Sequence, residues 1–308
     1  MLFDRDFVFY DGAMGTMLQA NGLKIGERPD IMNITDPDNV ERVHRMYVEA
    51  GSDIICTNTF GASAAALAGT GHGPGDIITA AVRAAKRACA EGTLVALDIG
   101  PVGHLLEPLG DLAPDRAYEL FREQAVFGEK TGADLVAIET MSDLGEISAA
   151  ILAVRENTAL PVFATMTFGK TGCTFTGVTP ESFAEMAQRL GAVAVGLNCS
   201  LAPSEMYETA ERLARSTDLP LIIKPNAGLP DSKTGLYDLT PAEFARQMVP
   251  FAKIGAKYNA RTAGQSPPCA AVSLPAKPEP RNTAMIIGGC CGTTPEYIKA
   301  LREAFAEL

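Results

Sequence analysis

The chain has 308 residues, 47% of them apolar and 20% charged, with a formal charge of −11. This is a globular composition, large enough to bury a core. Its acidic balance, with no strong Lys/Arg cluster, argues against a nucleic-acid partner, which calls for a basic surface. No apolar run reaches the roughly eighteen residues that a membrane helix needs, and the start, Met1-Leu2-Phe3-Asp4-Arg5-Asp6, lacks the basic-then-apolar order of a secretory signal.

In chain order, short apolar runs alternate with longer helical patterns. Residues 8–10 read as a strand that runs into Asp11-Gly12. A helical pattern over 40–50 precedes a strand at 53–57, and a second helix at 77–90 precedes a strand at 94–99. The helix at 114–130 opens on proline, whose fixed φ and missing N–H suit a first helical turn. Strand 135–138, helix 144–157 and strand 162–167 follow, then helix 180–190 behind the cap Thr179-Pro180-Glu181-Ser182. Strand 193–197, helix 203–215, strand 221–224, helix 241–251, strand 285–287 and helix 295–305 complete the series. Nearly continuous apolar strands of this kind are parallel strands covered by helices, and eight strand–helix units predict one (β/α)8 TIM barrel domain over 1–308. A doubly wound open sheet is the alternative, but no G-x-G-x-x-G follows the first strand.

One segment breaks the rhythm. Residues 258–283 are rich in proline and small residues and have no period. Because they join a helix to the next strand, they are expected as a surface excursion on the N-terminal face.

Chemistry in such a barrel sits where strands end. The strand ends here carry Asp11, then Thr57-Asn58-Thr59-Phe60, Asp98, Glu139-Thr140-Met141, Thr165 and Thr167, Asn198-Cys199-Ser200, Lys224-Pro225-Asn226, and Gly288-Gly289-Cys290-Cys291-Gly292. Cys199 and the Cys290–Cys291 pair stand at two strand tops that a barrel can bring together. Three thiolates with one open position suit a catalytic zinc ion. Buried spare thiols and a redox site remain alternatives. Seven cysteines, an odd number in a large chain, point to the cytosol and against a disulfide framework, and Cys56 and Cys89 read as small buried hydrophobes. The histidines, His44, His72 and His104, read as surface or capping residues. Asp11 and Glu139 are candidates to hold a cationic group such as a substrate ammonium, or else to cap a helix or bond a loop N–H.

Several stretches resemble the homocysteine S-methyltransferase family: Asp11-Gly12-Ala13-Met14-Gly15-Thr16, residues 53–60, Glu139-Thr140-Met141, Gly196-Leu197-Asn198-Cys199, Pro225-Asn226-Ala227-Gly228 and residues 288–295. The resemblance implies a (β/α)8 barrel that methylates the thiol of homocysteine to give methionine. It implies zinc held by Cys199, Cys290 and Cys291, and Asp11 and Glu139 at the amino-acid end of homocysteine. It also implies that Asn226 approaches the metal when substrate is absent and that Thr57, Asn58, Thr59 and Phe60 line the pocket. Residues 169–177 and 196–203 look most like the cobalamin-dependent methionine synthase branch, which favours a methylated corrinoid (methylcobalamin on a partner protein) as donor. S-methylmethionine or betaine is the alternative, and a non-catalytic thiol-binding metal protein a further one. The 258–283 segment, with Cys269, departs from the family pattern.

Overall fold

The structure, a computed structural model, describes residues 5–24, 26–231, 235, 237–254 and 285–308. The segment 258–283 and Cys269 therefore lie outside the described residues. Eight parallel strands are present: β1 (Phe7–Phe9), β2 (Ile54–Cys56), β3 (Leu94–Ile99), β4 (Leu135–Met141), β5 (Val162–Met166), β6 (Ala194–Asn198), β7 (Leu221–Lys224) and β8 (Met285–Ile287). They pair in the order β1-β8-β7-β6-β5-β4-β3-β2. The ring closes between β1 and β2 through a parallel bridge of Tyr10 with Ile54. That seam is stitched further by two carboxylates: Asp53 accepts the Phe9 N–H at 2.9 Å and Asp11 the Cys56 N–H at 2.7 Å. The expected (β/α)8 barrel is the observed fold.

The helices are α1 (Met14–Ala20), α2 (Met32–Thr35), α3 (Pro37–Glu49), α4 (Pro74–Ala88), α5 (Pro114–Thr131), α6 (Leu144–Asn157), α7 (Pro180–Leu190), α8 (Pro203–Arg215), α9 (Pro241–Met248) and α10 (Pro295–Phe305). Seven of them, α3 to α5 and α7 to α10, begin on proline, so each of those strand-to-helix loops ends at a residue already set for a first turn. The pattern expected to run to 251 is divided. α9 stops at Met248 and a 3-10 turn, Val249–Phe251, follows around Pro250, which has no N–H to continue the ladder. The short helices α1 and α2 were not expected from the periodicity. Among the described residues, no helix is long and apolar enough to cross a membrane.

Side chains alternate across each strand. One set, including Ile55, Leu97, Ile138 and Ile223, packs outward against the helices. The other, including Val8, Ile54, Ala96, Ala137, Phe163 and Ile222, forms a separate apolar cluster inside the barrel. Continuing the inward register by one more alternation reaches Asp98, Glu139, Thr165, Asn198 and Lys224. The apolar floor thus gives way to a polar ceiling at the C-terminal mouth.

His44 in α3 is wholly buried, with neither ring nitrogen partnered, and burial holds its pKa down to about 4. A depressed histidine contributes stability that is lost as pH falls from the unfolded value near 6.5 toward 4, because the unfolded chain takes the proton first. His44→Leu is therefore expected to remove roughly 2 kcal/mol of the stability that the wild type loses between pH 7 and 5. Urea unfolding of both proteins at the two pH values measures it; an unchanged pH dependence contradicts it.

Candidate metal centre and charged pocket

Cys199 directly follows β6, and Cys290 and Cys291 follow β8. Their sulfurs all lie within 4.8 Å of one another, with Cys199 and Cys291 3.8 Å apart. Corners of a tetrahedron about 2.3 Å from its centre, the usual zinc–sulfur distance, stand about 3.8 Å apart. The Cys199–Cys291 edge has that length, and the third sulfur lies within 4.8 Å of both. Among the described residues it is the one group of this kind, and no histidine belongs to it.

The loop after β7 aligns these thiols. The Cys199 N–H donates to the Lys224 carbonyl at 3.0 Å, the Cys290 N–H to that of Pro225 at 2.8 Å, and the Ala227 N–H to that of Cys291 at 3.0 Å. Thr140, Cys199 and Ser200 adopt left-handed φ values of 62°, 61° and 66°. These are the only such non-glycine residues among the described ones, and all three adjoin the thiols. Such a conformation costs a non-glycine residue of order 1–3 kcal/mol and persists only where the surroundings enforce it. Gly292, at φ 80°, is required twice over, since a Cβ there would lie 2.2 Å from the Tyr237 ring.

Two groups outside the expected set support the sulfurs. Asn198 is buried, with its Oδ1 accepting from the Thr140 N–H (2.9 Å) and the Thr165 hydroxyl (2.8 Å), while its Nδ2 reaches Cys290 Sγ at 3.8 Å. The Tyr237 ring packs against Gly292, the residue after Cys291. Hydrogen bonds from Cys199 and Cys290 pull the Cys291 thiol below its ordinary range, and the same contacts push Cys290 up. Asn226 lies in the aligning loop, and its Oδ1 is buried with no partner.

The polar ceiling is a second feature. Lys224 Nζ lies 2.6 Å from Glu139 Oε2, 3.8 Å from Cys56 Sγ and 4.5 Å from the Tyr10 ring centre. A register irregularity between Ile138 and Met141 accompanies the left-handed Thr140, just after Glu139 turns inward. Burial pushes the Asp11 carboxyl up to about 7, with Lys224 pulling the other way. Burial, then Glu139, also pushes Asp98 well up. Tyr10 Oη, Asp11 Oδ1 and Asp98 Oδ1 are buried without partners.

The remaining expected residues divide by role. The Thr57 and Thr59 hydroxyls bond each other at 2.7 Å and clasp the Asp98 backbone, so they form the wall beneath that carboxylate. Asn58 instead donates to the Pro29 carbonyl at 2.6 Å and anchors the first long link. Phe60 is exposed at the rim above Gly100. Cys56 is buried inside the barrel, and Cys89 is half-buried and bonded to the Ala85 carbonyl. Asp98 and Lys224 were visible at strand ends without a role; their signal is a charge at an inward position of an otherwise apolar strand.

Three thiols from two strand tops gather at the C-terminal mouth of a closed parallel (β/α)8 barrel, a group that could hold a metal ion. The chain belongs to the homocysteine S-methyltransferase family, whose model matches residues 8–305. It is 31% identical to the methionine synthase of Mycobacterium tuberculosis over 97% of its own length, and 30% identical to that of Mycobacterium leprae over 96%. It spans 24% of the length of each of those relatives. The metallated form of the homocysteine methyltransferase MmuM from Escherichia coli has a similar fold, with a TM-score of 0.75, 22% identity and coverage of 97% of this chain and 96% of that one.

Proposed function

We propose that the protein transfers a methyl group to the thiol of homocysteine, giving methionine, with zinc held by Cys199, Cys290 and Cys291. The observation that carries this reading is the meeting of three cysteine sulfurs, all within 4.8 Å of one another, at the barrel mouth. Zinc, when bound there, would favour the thiolate form of the acceptor.

The chain's own residues supply the rest. Asn226, whose side-chain oxygen is buried without a partner, would offer a further oxygen ligand when no acceptor is bound. Asn198 supports the Cys290 sulfur, and three cysteine thiolates would carry more negative charge than a divalent ion cancels, so an acceptor sulfur bound there would stay electron-rich. Asp11 and Glu139 border the amino-acid end of the acceptor, although the charge of Glu139 is already matched by Lys224. In the transfer a carbon–sulfur bond forms as the donor–methyl bond breaks. The electron pair of that bond leaves with the donor, and the thiol proton passes to solvent. No separate base is needed once that proton has gone.

The donor is a methylated corrinoid on a partner protein. Residues 169–177 and 196–203 favour it, as do relatives named methionine synthase whose length exceeds this chain about fourfold. The rim of the mouth also suits a large partner. Phe60, Leu105, Leu109, Phe175 and Leu229, all on strand-to-helix loops, are exposed, Phe175 by 84%. The seven cysteines suit work in the cytosol. S-methylmethionine or betaine is the second reading, because the MmuM-like fold serves a protein named only as a homocysteine methyltransferase. A methyl-transfer assay with homocysteine as acceptor should offer methylcobalamin, a methylated corrinoid protein, S-methylmethionine and betaine in parallel. Turnover with a corrinoid is expected; turnover with S-methylmethionine or betaine alone moves the protein to the second reading.

A further inference from the structure

Asn198 is the last residue of β6 and is wholly buried. A carboxamide offers two acceptor positions and two N–H donors, and here every one of them is used. Oδ1 accepts from the Thr140 N–H at 2.9 Å and from the Thr165 hydroxyl at 2.8 Å. Nδ2 donates to Thr140 Oγ1 at 2.7 Å and to Cys290 Sγ at 3.8 Å. The orientation of the amide follows from these partners. A backbone N–H can only donate, so the atom facing it must be the oxygen, and the nitrogen must then face the sulfur. The backbone is held as well, because the Asn198 carbonyl accepts from the Thr167 hydroxyl at 3.1 Å. Strand β7 lies between β6 and β8 in the sheet, so the contact with Cys290 reaches past a neighbouring strand. Tying adjacent strands together does not require that reach.

We infer that Asn198 is a positioning residue of the metal centre: its amide N–H draws charge from the Cys290 sulfur, and Thr140 and Thr165 fix the amide for that task. This rests on the proposed zinc reading and adds to it a group that tunes one of the ligands. The reason is charge. Three thiolates outweigh a divalent ion, and an acceptor thiolate beside them would widen the excess. In a half-buried site such an excess is costly unless donors face the sulfurs. A hydrogen bond to a thiolate lowers the energy of the sulfur lone pair and spreads its charge onto a group that does not ligate the metal. The left-handed Thr140 belongs to the same device. Its backbone N–H and its hydroxyl both meet the Asn198 amide, so the turn after Glu139 and the aim of the N–H at Cys290 hold each other in place.

The experiment uses zinc and, as a coloured substitute, cobalt(II), whose sulfur-to-metal charge-transfer band reports the energy of the thiolate lone pairs. Wild type, Asn198→Asp, Asn198→Ala and Thr165→Val are compared in reducing buffer. Asn198→Asp keeps an acceptor oxygen for Thr140 and Thr165 but removes the amide N–H. Asn198→Ala removes the N–H without adding a charge. Thr165→Val takes away one anchor of the amide and leaves its N–H in place. Both Asn198 variants are expected to hold zinc about tenfold to a hundredfold less tightly in competition with a chelator, the usual cost of losing a group that orients a metal ligand. Both should also move the cobalt band to longer wavelength, because a lone pair without its hydrogen bond gives up an electron more easily. Thr165→Val should keep the band at the wild-type wavelength, whatever its melting temperature. An unmoved band in either Asn198 variant would overturn the inference and leave Asn198 a tie between strands. An equal shift in all three variants would overturn it too, since loosening the turn would then be enough to cause it. A wild type that takes up neither zinc nor cobalt would sink the zinc reading itself, a result distinct from the other two.

Discussion

The Cys290→Ala protein is expected to purify with almost no zinc, against about one ion per chain in the wild type, and to transfer no measurable methyl group. The reason is geometric. Cys199 and Cys291 remain 3.8 Å apart, but two thiols define only an edge. The third corner comes from Cys290, whose N–H and carbonyl are fixed by Pro225 and Thr293. Loss of a group that merely orients a ligand typically costs 10–100-fold, and loss of the ligand should cost far more. The barrel itself should stay folded, because its core lies in two apolar clusters that the cysteines do not join. Metal analysis and circular dichroism in reducing buffer check both halves. Full zinc retention would refute the ligand assignment, and global unfolding would refute the separation of site from scaffold.

The second large effect concerns Lys224. Lys224→Met should lower stability at pH 7 by about 3–5 kcal/mol, the usual cost of stripping one partner from a buried ion pair. It leaves Asp11, Asp98 and Glu139 facing one another with no cation. The folded pKa values of Asp11 and Asp98, already raised, would then rise further. A carboxylate raised above its unfolded value contributes stability that is present at low pH and lost as pH rises toward the folded pKa. The deficit of the variant should therefore shrink between pH 7 and 5, the range below the Asp11 value of about 7 already seen with lysine present. Urea unfolding at the two pH values, at one fixed zinc concentration, measures it. A deficit equal at both pH values would mean that Lys224 acts by packing alone.

The architecture was legible because parallel strands sheathed by helices must be apolar on both faces, and six of the eight such runs here are short and followed by a proline-initiated helix. The sulfur cluster was legible for a related reason: a barrel fixes which ends of its strands meet, so thiols at two strand tops can be brought together without knowing any side-chain position. What escaped was pairing across the interior. Asp98 and Lys224 each stood at a strand end, but their relation to Glu139 depends on three inward registers agreeing, and on the irregularity after Glu139 that no periodicity announces. Asn198 escaped because its role is set by hydrogen bonds to Thr140 and Thr165 on neighbouring strands. Tyr237 escaped because it comes from a loop with no pattern at all.

Cys199 and Ser200 form two consecutive left-handed residues, neither of them glycine. For heat-tolerant engineering this is a trap. Glycine at Ser200 would relax the turn and raise the melting temperature, as glycine does wherever φ is positive. The same change would loosen the turn that fixes the Cys199 sulfur beside Cys291. A screen that rewards thermal stability alone would therefore select against the chemistry at this position, and stabilising substitutions should be sought on the helical outer ring instead.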